Sequence, residues 1–252
     1  MQRAAILVIG NEILSGRTRD ANIQFIGEAL AQHGIRVCEV RVVEDRYAAI
    51  VAGVNSLRAS YDLVFTTGGI GPTHDDITTE CIAAAVGRMV VEDPDALRRL
   101  TEYYAGGELN TARRKMAHVV AGCSLLDNPV SGAPGYRIDN IYVLPGVPRI
   151  LQAMLPGVLA NLPGGPPISS RAVTAYLRES EIATELAEIQ ARYPMLDLGS
   201  YPFARDGRFG TSLVVRGTDA MAQQGAVAEI SVMLARHSAE FELDPQNRPQ
   251  NS

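Results

Sequence analysis

Residues 66–78 read Thr-Thr-Gly-Gly-Ile-Gly-Pro-Thr-His-Asp-Asp-Ile-Thr and follow the apolar run Leu63-Val64-Phe65. A short apolar run that gives way to three glycines, a proline and two acids before a helical stretch reads as a strand-to-helix turn. Glycines let backbone N–H groups approach a ligand closely, and successive N–H groups at a helix start make a site for phosphate. Asp75 and Asp76 would repel a phosphate unless a cation lay between them. The loop therefore points to a divalent ion bridging protein and phosphate.

Through residue 160 short β-branched runs alternate with helical stretches, the pattern of βαβ units around a mostly parallel sheet in an α/β fold. Strands are predicted at 6–9, 37–43, 63–66 and 141–144. Helices are predicted at 20–33, with Ile23, Ile26 and Leu30 on one face and Gly34 as the stop, and at 47–60. A third should run from just after Asp76 to Val86, closed by Gly87, and a fourth should open at Asp93-Pro94. Residues 105–136 read as a long excursion ending in turns and a hairpin. The run Leu162-Pro163-Gly164-Gly165-Pro166-Pro167 can continue neither a helix nor a central strand, so it marks a boundary. The domains expected are 1–163, a small α+β unit at 168–243, and a flexible tail at 244–252. The small unit should read βαββα, with strands at 172–177, 198–202 and 211–217 and helices at 179–193 and 219–241.

A hydrophobic share of 46% with 20% charged residues is ordinary for a soluble globular enzyme. With 23 basic against 28 acidic residues and no long basic run, nucleic acid is not an expected partner. The apolar N-terminal run 4–9 is too short to span a bilayer and lacks a cleavage site, so a cytoplasmic protein without a membrane partner is expected. Cys38, Cys81 and Cys123 show neither a disulfide framework nor zinc spacing, and are expected to be buried apolar residues.

Open α/β sheets bind ligands at the carboxyl ends of their strands. Three segments should meet there: Gly10-Asn11-Glu12-Ile13-Leu14-Ser15-Gly16, the 68–76 loop, and Pro145-Gly146-Val147-Pro148. Asp76 either caps the following helix or binds a metal; capping explains one acid but not three glycines, a proline and a second acid. Asp45 either caps the helix near Tyr47 or joins Asp76 around the metal, and Glu12 is a further oxygen donor. Asp20 should cap the first helix, leaving the Asn22 amide to face a ligand. Arg113-Arg114-Lys115 reads as a solvated helix face, or as a group neutralising a diphosphate. Asn128 with Gly132 and Gly135 forms either a close-approach wall or an ordinary turn. His74 reads as a solvated loop residue, and Asp75 is the candidate base. There is no G-x-S-x-G elbow, Walker A pattern, H-E-x-x-H or dinucleotide fingerprint.

Taken together, 10–16 with Asp20-Ala21-Asn22, 67–78, 128–135 and 144–148 resemble the molybdopterin-binding (MoCF) fold, and more narrowly the N-terminal part of the CinA family. The Gly-Gly-Ile-Gly-Pro-Thr-His-Asp-Asp stretch is also similar to the molybdopterin-binding-like domain of FAD synthases. The resemblance implies a three-layer α/β/α domain that binds a pterin or a nucleotide diphosphate. It implies metal-dependent hydrolysis of ADP-ribose or FAD, or, alternatively, a pterin carrier or molybdopterin adenylyltransferase of molybdenum cofactor biosynthesis. The implied cofactor is Mg, Mn, Co or Ni, with molybdopterin a further ligand, and the implied assembly is a homo-oligomer. Asp76 and Asp45 would be catalytic, with Glu12 joining them as metal ligands. Ser15, Gly16, Asn22, Gly68, Gly69, Gly71, Asn128, Gly132, Pro145 and Gly146 would bind substrate. CinA proteins also carry a nicotinamide-nucleotide amidase domain that has no counterpart in these residues, so deamidation is not expected of them. Single-domain adenylyltransferases lack a counterpart of 167–243.

Overall fold

A computed structural model of the chain describes residues 1–105, 107, 109–205 and 207–244; the predicted tail from residue 245 onward lies outside the described residues. The chain divides into two compact units, the first covering Met1–Gly165 and the second beginning at Pro166.

The first unit opens with β1 (Arg3–Ile9), α1 (Asn11–Leu14), α2 (Asn22–Gln32), β2 (Arg36–Val43), α3 (Tyr47–Ser60), β3 (Leu63–Thr67) and α4 (Thr78–Val86). It continues with β4 (Val90–Glu92), α5 (Pro94–Tyr103), α6 (Thr111–Lys115), β5 (His118–Val120), β6 (Ser124–Leu126), β7 (Gly135–Ile138), β8 (Ile141–Leu144) and α7 (Pro148–Leu159). The main sheet has the order β2-β1-β3-β8-β7-β6, parallel from β2 to β8 and antiparallel beyond it. β1, β3 and β8 are almost wholly buried, as continuous apolar runs between two helical layers must be, whereas edge strand β2 alternates.

One apolar layer joins Leu7, Val64 and Val143 to Ile50, Val54 and Leu57 of α3 and to Cys81 and Ile82 of α4. The other joins Ile6, Phe65 and Leu144 to Ile26 and Leu30 of α2 and to Leu151 and Leu155 of α7. The result is a three-layer α/β/α unit. Helix ends follow local chemistry. Gly87 ends α4 in the left-handed region at φ 68°, and Asp93 caps α5 through the Asp95 and Ala96 amides, both at 2.9 Å.

The 105–136 excursion holds more regular structure than its sequence suggests. It contains α6 and β6, β5 pairs with β4 in a two-stranded sheet, and β7 turns back into β8 through Asp139 at φ 50°. Strands of three residues leave too short a pattern to read. Cys81 is buried, but Cys38 is exposed on edge strand β2, contrary to the expectation that all three thiols are buried.

The second unit runs β9 (Ser169–Ala175), α8 (Glu179–Arg192), β10 (Asp197–Arg205), β11 (Arg208–Gly217), α9 (Ala220–Arg236) and β12 (Phe241–Leu243). Its sheet is antiparallel, β10-β11-β9-β12, with α8 and α9 packed on the apolar face around Val173, Leu213, Ile182 and Ile230. The final helix stops at Arg236 rather than reaching Phe241. Ser238 takes φ 52°, and Phe241 and Leu243 then pack on the core as a strand beside β9, making the unit βαββαβ. Among the described residues no helix is long and apolar enough to cross a membrane.

Phe65 is fully buried and stacks on Tyr142, its partner in the adjacent strand, with ring centroids 5.0 Å apart. Phe65→Ala is expected to destabilise the first unit by about 3–5 kcal/mol, read as a lower denaturation midpoint in urea.

Candidate functional site

The connection from β1 to β2 passes through α2 on one face of the sheet, and that from β2 to β3 through α3 on the other. The winding therefore reverses between β1 and β3, where open α/β sheets place their ligand crevice. Four parallel strands end side by side there: Ile9 pairs with Val43, Val8 with Thr67, and Thr67 with Leu144. Their turns carry Asp45 after β2, Glu12 after β1, Asp75 and Asp76 after β3, and Gly146 after β8.

Neither Asp45 nor Asp76 caps the helix that follows it in sequence. The residues before α3 and α4 are Arg46 and Ile77, and neither helix start has a side-chain cap. Asp45 instead accepts the Asn11 amide at 2.7 Å, while the Asp45 amide donates to Asn11 Oδ1 at 3.3 Å. Asp76 turns back to accept the Thr73 amide at 2.8 Å and also the Thr73 hydroxyl. That hydroxyl also lies 2.6 Å from Asp75 Oδ1; it has one proton, so the two carboxylates compete for it. Burial pushes the Asp45 carboxyl above the ordinary carboxylate range despite its Asn11 hydrogen bond, and the charges of Glu12, Asp75 and Asp76 push it further. The Thr73 hydrogen bond, chiefly, holds Asp75 below that range.

Gly68 has φ 99°, and a Cβ there would lie 2.2 Å from the Ile9 carbonyl oxygen, so only glycine lets β3 leave the sheet this close to β1. Its amide donates to Leu144 O at 3.2 Å, which extends the ladder by one residue and removes Gly68 from the amides open to a ligand. Among the described residues the amides of Gly69, Ile70 and Gly71 have no protein acceptor. Thr78 closes the loop from below: its hydroxyl donates to Gly68 O at 3.0 Å and its amide to Gly69 O at 3.0 Å.

The other residues singled out from the sequence divide into two groups. Asn22 is 3% exposed and donates to Gly146 O at 2.8 Å, while its Oδ1 is buried without a partner among the described residues. It therefore joins α2 to the turn beside Gly68, which Gly146 approaches closely. Asp20 accepts the Ile23 amide at 2.7 Å. Ser15 and Gly16 lie exposed beyond α1, with the Ser15 hydroxyl turned to Glu12 O. Asn128 spends its amide inside its own turn, on Val130, Ser131 and Ala133, and Gly132 packs against Tyr103 of α5. Neither contacts the strand-edge carboxylates. His74 is exposed.

Two partnerships escaped the sequence reading, Asn11 with Asp45 and Thr73 with Asp76, and of the Arg113-Arg114-Lys115 run the sequence did not single out Lys115. Lys115 belongs to no solvated face, for its ammonium donates to Thr73 O at 2.8 Å and Asp76 O at 2.7 Å. Beside it a narrow, solvent-open cleft is lined by Gly71, Asp76, Thr79, Lys115, His118 and Tyr136, among others.

Glu12, Asp45 and Asp76 offer only oxygen donors. Among the described residues no three Asp, Glu, His or Cys side chains converge as a ready metal cage. The donor set fits an ion of the magnesium type, which takes one or two carboxylates and completes its shell with water and phosphate oxygens. The mutual repulsion acting on Asp45 is the kind that such an ion relieves.

Residues 5–164 match a family model described as a probable molybdopterin-binding domain, and residues 167–242 match the middle domain of FAD synthase. A protein of Thermoplasma acidophilum is 33% identical over 208 residues, covering 80% of this chain and 81% of the relative. The chain spans about half the length of two longer relatives. A CinA-like protein of Syntrophus aciditrophicus is 35% identical over 79% of this chain and 51% of its own length. A probable FAD synthase of Caenorhabditis elegans is 30% identical over 93% and 50%. The crystal structure of the CinA protein of Thermoplasma acidophilum is similar with TM-score 0.60 and 36% identity, over 64% of this chain and 97% of that one.

Because Asp45 has a raised value in the folded chain, its favourable contribution to stability is complete below its ordinary value and is lost as pH rises through the raised one. Asp45→Asn is therefore expected to be more stable than the wild type at pH 7 without metal. That gain should vanish below about pH 4, as followed by thermal unfolding across pH.

Proposed function

Since the chain belongs to the molybdopterin-binding (MoCF) family and is CinA-like, we propose that it is a divalent-metal-dependent nucleotide pyrophosphatase acting on ADP-ribose, FAD or a related diphosphate. One juxtaposition carries this reading: the amides of Gly69 to Gly71, without protein acceptors, beside carboxylates that cap neither of their own helices.

In this reaction water adds to one phosphorus, and the bridging oxygen leaves with the other phosphate, giving AMP and a second monophosphate. The Gly69–Gly71 amides hold phosphate oxygens and stabilise the charge that develops on them. Asn22, through its hydrogen bond to Gly146 O, fixes the turn after β8 beside the glycine loop. Asp76, with Asp45 or Glu12, holds the cation, a Mg, Mn, Co or Ni ion. When bound, that ion supplies positive charge to the diphosphate and acidity to water. Asp75, the candidate base, is weakened in that role because its hydrogen bond to Thr73 holds its carboxyl low.

The family match also supports a second reading, a pterin carrier or a molybdopterin adenylyltransferase, which needs the same amides. Purified protein with ADP-ribose, FAD or NAD and each of the four metals is expected to release AMP. Asp76→Ala should lower that rate on the order of 10²–10³-fold, as when a group stabilising developing charge is lost. Turnover no higher than in the Asp76→Ala protein with every metal would sink the pyrophosphatase reading. Tight pterin binding without turnover would then favour the carrier, and AMP transfer from ATP the transferase.

A further inference from the structure

Lys115 is the only lysine in the chain; every other one of its 23 Lys and Arg residues is arginine. Its neighbours in α6 turn elsewhere. Arg114 pairs with Glu92, and the Arg113 guanidinium lies over the Tyr104 ring at 4.3 Å. Lys115 alone of the three reaches the glycine loop, where two of its three N–H bonds go to the Thr73 and Asp76 carbonyls. The compact ammonium, with three rotatable donors, serves both carbonyls from a single nitrogen.

The cleft beside it has an acidic wall. Asp76 and Glu80 line it, and of its lining residues only Lys115 carries a fixed positive charge. A dianionic phosphate entering there meets like charges unless Lys115 answers them. Two other features favour an anion at the same place. Gly71, whose amide has no protein acceptor among the described residues, also lines the cleft. So do Thr79 and Glu80 in the first turn of α4, which brings the positive end of a nine-residue helix to it.

From this geometry we propose that Lys115 binds a phosphate group of the substrate in this cleft, its third N–H and the Gly71 amide donating to the same phosphate. The inference rests on the diphosphate reading above and assigns that reading its phosphate cation. The two hydrogen bonds to loop carbonyls fix where the ammonium stands; the phosphate takes the donor that remains.

A chain with one lysine makes the test clean, because an amine-specific acetylating reagent can modify only Lys115 and the chain's N-terminus. The wild-type protein is acetylated with and without AMP, inorganic phosphate or adenosine, in EDTA and in magnesium, and each amine is followed by mass spectrometry. AMP and phosphate are expected to slow acetylation of Lys115 but not of the N-terminus, and adenosine is expected to do neither. In parallel, calorimetry on Lys115→Met is expected to show AMP binding weakened at least about tenfold, the size of one charge-assisted hydrogen bond, with adenosine binding unchanged. Unslowed acetylation at AMP concentrations that calorimetry shows to be saturating overturns the proposal. So does a folded Lys115→Met protein that binds AMP as the wild type does, or one that loses adenosine and AMP equally, the mark of a loop clamp alone. If Lys115→Met fails to fold, the wild-type protection result decides. Wild-type turnover of ADP-ribose without protection of Lys115 defeats this inference only, whereas a wild type that neither binds nor cleaves any diphosphate defeats the underlying reading and this inference with it.

Discussion

The site depends on one constraint, the level ending of β2, β1, β3 and β8. Parallel neighbours stand about 4.8 Å apart, so turns leaving four adjacent strands at one height span roughly 15 Å. Asp45, Glu12, the glycine loop and Gly146 thus become neighbours although more than a hundred residues separate the first from the last. The register that sets this height is specified by burial. β1, β3 and β8 carry apolar side chains on both faces, and a one-residue slip would exchange residues shaped for the α3/α4 layer with those shaped for the α2/α7 layer.

Burying and crowding acids at this edge has a cost, visible in the raised Asp45, whose shift comes first from burial and then from the charges of Glu12, Asp75 and Asp76, and the fold offsets it locally. Asp45 and Asp76 each receive a backbone amide from outside their own helices, Thr73 offers one proton to two carboxylates, and the Lys115 charge stands within reach of Asp75. These contacts orient the acids without neutralising them, each backbone amide engaging only one oxygen, Oδ2, of Asp45 or Asp76.

Much of the frame was legible in the sequence because its signals are local. The apolar runs of β1, β3 and β8, the stops at Gly34 and Gly87 and the Asp93-Pro94 start each follow from a few adjacent residues. Short β4, β5 and β12 were not legible, since three residues carry no period. The capping question at Asp45 and Asp76 could not be decided either. For Asp45 the outcome depends on Asn11, 34 residues away, whereas the Asp76 side chain turns back to Thr73, three residues earlier, a choice the residue types alone do not distinguish from a cap. Local propensity allows both outcomes; at Asp45 a tertiary partner chooses, at Asp76 the loop's own turn does. Asn128 shows the reverse case: an amide that read as a wall of the pocket is consumed by its own turn.

The glycine loop itself resolves into separate physical demands. Gly68 is required by the sheet, since the chain passes the Ile9 carbonyl where no Cβ fits, and its amide is already committed to Leu144. At Gly71 a Cβ would lie 2.7 Å from the Asp76 carboxylate, so any larger residue there would push that side chain from its present place. Between them the chain makes no backbone ladder bonds that would use its N–H groups. The turn that ends β3 and the cradle that faces a ligand are therefore successive segments of one loop. Their junction at Gly68 sets the cradle against Ile9 at the end of β1.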